Sequence, residues 1–164
     1  MDQGVANQVV AVSGLHTVAS ISISGLIATS IMSLFVFSFS RTLLLPINPF
    51  VAVGTMVTAA RSEALKAGVL LHISAGLVAS FLYAFILKAI GMVTSFMPLV
   101  GAGMIGLVHS FVLSFLIVIV LGENGQTPGV RMQGMAQAGV YLVAHIIFGI
   151  SLGILFMMMP SALV

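Results

Sequence analysis

The sequence predicts an all-α integral membrane protein folded as a four-transmembrane-helix bundle. Three observations carry this reading. Hydrophobic residues make up 60% of the 164 positions and charged residues only 5%, against about 25% charged in a soluble domain. Mean hydropathy is +1.29, so too few polar side chains exist to cover a soluble core, and lipid must be the solvent. Four segments reach the roughly 20 apolar residues that a helix needs to cross a bilayer.

The first span is expected at roughly residues 17–40, the second at 64–90, the third at 97–121 and the fourth at 136–159. Together they make 1–164 a single transmembrane domain. Pro98 falls in the first turn of the third span, where its missing N–H costs nothing. Pro160 stops the fourth. Residues 5–15 are moderately apolar and either lie on the membrane surface or extend the first helix. Between spans one and two, Asn48-Pro49 reads as a helix start, with asparagine as the cap and proline at the first helical position. A short interfacial helix from about Pro49 to Ala60 is expected there. It is too short to cross.

Basic residues set the expected orientation. Arg41, Arg61 and Lys66 flank the loop between spans one and two, and Arg131 lies between spans three and four. Lys88 alone stands on the other side. The positive-inside rule puts both loops in the cytoplasm and both termini outside. The opening MDQGVANQVV lacks a basic n-region, so a cleaved signal peptide is not expected. A prokaryotic inner (cytoplasmic) membrane is the simplest home.

The spans suggest two repeated hairpins. SGLIATSIMSLF, starting at Ser24, aligns with IGLVHSFVLSFL, starting at Ile105, pairing Gly25 with Gly106, Thr29 with Ser110 and Ser33 with Ser114. His72, Gly76 and Ser80 of span two align with His145, Gly149 and Gly153 of span four. Low-complexity apolar helices also align by chance, and the sequence leaves both origins open. A true repeat would relate the hairpins by an axis along the membrane normal.

Small residues recur at every fourth position: Gly25, Thr29 and Ser33; Gly68, Gly76 and Ser80; Gly106, Ser110 and Ser114; Gly149 and Gly153. Such stripes lie near one helix face and let helices approach closely in lipid. His72 and His145 ride on them, and His109 stands one position from Ser110. At about 1.5 Å per residue, His72 lies roughly 9–12 Å from the cytoplasmic end of its span, His145 about 13 Å and His109 about 18 Å.

Ionisable residues at such depth suggest function by default. Two readings stand side by side. Each histidine hydrogen-bonds a serine (Ser74, Ser80, Ser110 or Ser151) or a carbonyl of a neighbouring helix. Alternatively His72 and His145 hold haem b axially, or His72, His109 and His145 hold copper. Hydrogen-bonded packing without a cofactor ranks first, haem second and another metal third.

Much chemistry is excluded. With no cysteine there is no disulfide or iron–sulfur site. The net charge of +2 comes from scattered residues, so nucleic acid is not an expected partner. The only acids, Asp2, Glu63 and Glu123, fall outside the hydrocarbon, so no Ser/His/Asp arrangement forms at depth. GENGQTPG, starting at Gly122, is glycine-rich but lacks a P-loop lysine. The leading expectation is an accessory or structural subunit of a larger membrane complex, respiratory or oxidative, with no catalysis of its own. It would meet lipid and other integral membrane subunits through its small-residue faces. The alternative is a haem b or copper electron-transfer subunit, and the third is a small transporter or channel.

Overall fold

The computed structural model describes residues 3–42, 48–124 and 134–163, and all regular structure among them is helical. Helix α1 spans Gln3–Thr42, α2 Pro49–Gly54, α3 Arg61–Ala89, α4 Met97–Asn124 and α5 Gly134–Met158, followed by a 3₁₀ turn at Pro160–Ala162. Four of these contain stretches long and apolar enough to cross a membrane: Val12–Phe39, Ser62–Ala89, Met97–Leu116 and Ala138–Met158. Arg131 lies outside the described residues.

Residues 5–15 continue α1 without a break. At 40 residues the helix is about 60 Å long, twice the thickness of a bilayer's hydrocarbon core. Helix α3 ends in a local motif: Gly91 takes φ +72°, the Met92 N–H bonds the Leu87 carbonyl at 2.9 Å and the Gly91 N–H bonds that of Lys88 at 3.2 Å. This is a Schellman cap, which needs a left-handed residue that glycine supplies freely. Pro98 is buried in the first turn of α4.

The segment after Asn48 differs from expectation. Its helix ends at Gly54 rather than near Ala60, and residues 55–57 form a turn. The Asn48 side chain caps it by accepting from the N–H of Phe50 at 3.0 Å and of Val51 at 3.4 Å. The segment packs along the side of α3. Gly54 packs on Ala64 and Gly68, and Gly68 meets the Phe50 carbonyl. Four residues forward in α2 match four residues back in α3, so the two run antiparallel. Phe50 thereby reaches His72, with ring centroids 5.3 Å apart, about 16 Å along α3 from its start. Glycine at 54 and 68 permits this contact, because a Cβ at either would strike backbone.

The long helices form an incomplete ring. Helices α4 and α5 make the most extensive contact, and α1 packs against both α3 and α5. The 3₁₀ turn folds back onto α1, where Ser161 and Ser20 hydroxyls meet at 2.7 Å. Helices α3 and α4, although consecutive, make few close backbone approaches and meet through side chains such as Tyr83 and His109. The ring therefore runs α3–α1–α5–α4 and stays open between α4 and α3. Its buried interior includes Ala28, Met32, Tyr83, Leu87, Phe148 and Leu152.

Candidate functional site

Helix crossings come first, because they bring the histidines together. Gly25 of α1 faces Ser80 and Gly76 of α3, and Thr29 rests on Gly76. Gly106 of α4 faces Gly149 of α5, where a Cβ would stand 3.1 Å from the Gly149 Cα. Gly153 crosses α4 at Pro98, Leu99 and Ala102. Gly68 receives α2. The small-residue positions named from the sequence thus meet one another or other parts of this chain. Ser110 and Ser114 are fully buried, and Ser33 lines a cavity between α1 and α5.

Serine hydroxyls are largely consumed within their own helices. Ser33 donates to the Thr29 carbonyl at 2.7 Å, Ser80 to that of Gly76 at 2.6 Å and Ser110 to that of Leu107 at 2.7 Å. This back-bonding is the usual refuge of a hydroxyl in a helix. Ser80 and Ser110 are therefore not the histidine partners that the sequence suggested. Thr29 Oγ1 and Ser114 Oγ are buried without a partner.

His109 pairs with a tyrosine hydroxyl, and His145 with a backbone carbonyl of its own helix rather than of a neighbouring one. His109 Nδ1 lies 2.9 Å from the hydroxyl of Tyr83, and the two rings meet edge to face. His145 Nδ1 lies 2.7 Å from the Tyr141 carbonyl. A carbonyl can only accept, so Nδ1 of His145 carries the proton and Nε2 keeps its lone pair. The His145 ring meets that of His109 at 5.2 Å between centroids and 63°. His72 Nε2 is buried with no hydrogen-bond partner. Sequence reasoning passed over Tyr83. The available signal was a phenol within an apolar span, which needs a partner there.

His72 and His145 line one cavity of about 60 Å³, together with Met32, Ser33, Val36, Phe50, Val53, Tyr141 and Ala144. Cofactor-sized ligands occupy pockets of about 300–1,000 Å³, so haem does not fit between these two histidines. The space suits a few waters or a single ion. His109 lies on the far side of His145 and does not line this cavity. Among the described residues, no three His, Asp or Glu side chains come together to hold a metal. The three-histidine arrangement drawn from the sequence is thus divided, with His72 and His145 on one cavity and His109 turned to Tyr83.

Tyr83 and His109 also line a second space, the open side of the ring. This groove of about 810 Å³ is bounded by Ala75, Val78, Ala79, Leu82 and Ile86 on α3 and by Gly101, Met104, Ile105 and Val108 on α4. Tyr83→Phe is expected to destabilise the bundle by about 0.6–1.7 kcal/mol, the range for hydrogen bonds between membrane helices. Unfolding by SDS titration from mild detergent would measure it, and a variant as stable as the parent would rule the bond out as a contributor.

Comparison with protein-family models, with curated proteins and with solved structures finds no match to this chain.

Proposed function

We propose that this chain is an accessory integral-membrane subunit whose α3–α4 groove receives one apolar helix of a partner subunit. The observation that carries the proposal is the open side of the ring. Helix pairs α1–α3, α1–α5 and α4–α5 are packed, whereas α3 and α4 leave a groove of about 810 Å³. The membrane windows of α3 and α4 are 22% and 28% buried within the chain, against 50% for α5. These two helices therefore have the most surface left to pair. Association in lipid is driven by close packing rather than by escape from water. Ala75, Ala79 and Gly101 lower the groove between the larger Val78, Leu82, Met104 and Val108, a shape that receives the side-chain ridge of a helix. The small-residue stripes are engaged inside the bundle, so the expected partner surface moves from the stripes to this groove.

The reading includes the membrane. The end holding Arg41, Arg61 and Lys66 faces the cytoplasm of a prokaryotic inner membrane, with Lys88 and both termini outside. The segment from Asn48 to Ala60 then dips beside α3 as a re-entrant element, tolerated because it is packed against protein. The two hairpins are read as a repeat. Gly25 against Gly76 and Gly106 against Gly149 are equivalent crossings, and they support that origin. The copies have since diverged: the position equivalent to His109 is Ala28 in α1.

The chain contains no cysteine, so single cysteines can carry a photo-crosslinker in native membranes. Ala79→Cys and Val108→Cys are expected to capture the same protein, through a membrane-spanning helix of it. Ile31→Cys, on the exposed side of α1, should not capture it. Capture of lipid alone, or of a second copy of this chain, would overturn the reading.

A further inference from the structure

We propose that Met32, His72 and His145 form a binding site for Cu(I). The three side chains come from α1, α3 and α5 and line the same cavity of about 60 Å³. Two independent features leave a nitrogen of each histidine free to serve as a ligand. The Tyr141 carbonyl holds His145 in the tautomer that leaves Nε2 unprotonated, the arrangement by which metal-binding histidines are commonly oriented. His72 Nε2 is buried without any partner, and an orphaned polar atom in a native interior calls for an unseen water or ion.

The donor set selects the metal. Two imidazoles and a thioether are neutral, and no carboxylate lines the cavity. Burying an ion without compensating negative charge costs free energy that rises with the square of its charge, so a monovalent cation is favoured over a divalent one. Thioether sulfur prefers soft ions, and Cu(I) is the soft monovalent ion that imidazole also suits. Phe50 and Val53 of α2 line the cavity too, so the segment packed along α3 shields the site. The inference is independent of any partner helix in the α3–α4 groove, which uses neither Met32, His72 nor His145.

The full-length chain in mild detergent would be titrated with ascorbate-reduced Cu(I) against the chelator bicinchoninate, and the bound metal examined by X-ray absorption. One Cu(I) per chain is expected, with nitrogen and sulfur neighbours. His72→Leu should weaken binding roughly tenfold or more, since even losing a group that only orients a ligand costs that much. Met32→Leu conserves volume in the core and should remove the sulfur signal while the protein elutes as before. His109→Leu should leave the stoichiometry and the sulfur signal unchanged. Failure to hold one Cu(I) against the chelator would overturn the proposal. So would a sulfur signal that persists in Met32→Leu, or a loss in His109→Leu equal to that in His72→Leu.

Discussion

Gly149→Leu is expected to leave no folded protein in a mild-detergent extract, and Gly149→Ala to cost about 1–3 kcal/mol. At this crossing α4 and α5 touch backbone to backbone. A Cβ on Gly149 would stand 2.6 Å from the Ala102 carbonyl oxygen and 2.8 Å from the Gly106 Cα. Neither atom is the end of a flexible side chain, so relief requires the helices to separate. Separation would also disturb Gly106 and Gly153, which share the α4–α5 contact. Gly139 provides the contrast on the same helix. A Cβ there meets nothing within 4 Å, and the helix stays formed when the helices separate, so Gly139→Ala should leave stability within about 0.5 kcal/mol of the parent. SDS-titration unfolding of the three variants measures the difference. Equal stability of Gly149→Ala and the parent protein would show that the crossing is not as close as described.

Phe148→Ala should destabilise by about 2 kcal/mol. Phe148 is 1% exposed and meets the Tyr83 ring edge to face at 5.7 Å. In water such a truncation loses transfer free energy and also leaves a cavity. In lipid the separated helices are already in an apolar solvent, so the transfer part largely cancels. The void remains, at about 24 cal/mol per Å³ over roughly 100 Å³. The effect should also couple to Tyr83→Phe, because Phe148 supports the ring whose hydroxyl bonds His109. A double-mutant cycle tests this. Additivity within about 0.5 kcal/mol would mean that Phe148 does not hold the Tyr83–His109 pair in place.

The histidines show where reading the chain stopped. Their depth and their place on small-residue stripes could be estimated from helical rise and spacing. Their partners could not. Ser80 and Ser110 looked available, yet each hydroxyl finds a carbonyl in the preceding turn of its own helix. Tyr83 stands 26 residues from His109, and that distance becomes a hydrogen bond only through the placement of α3 and α4. Phe50 reaches His72 because α2 doubles back along α3, which a short segment opening on a proline did not announce.

The sequence by itself determined that four long apolar helices form, roughly where α3, α4 and α5 begin and end and where α1 ends, and which small residues could sit at crossings. Those are local properties: in lipid each segment must satisfy its backbone within itself, and composition and turn residues reveal it. Tertiary structure alone decided which helices pair, that the ring stays open between α3 and α4, and that His145 shares a cavity with His72 while its ring meets His109. The physical reason is that these helices are apolar on nearly every side. With no hydrophobic drive between helices in lipid, no face is marked in advance as the inner one. Pairing then depends on which glycine meets which backbone, a matter of three-dimensional fit.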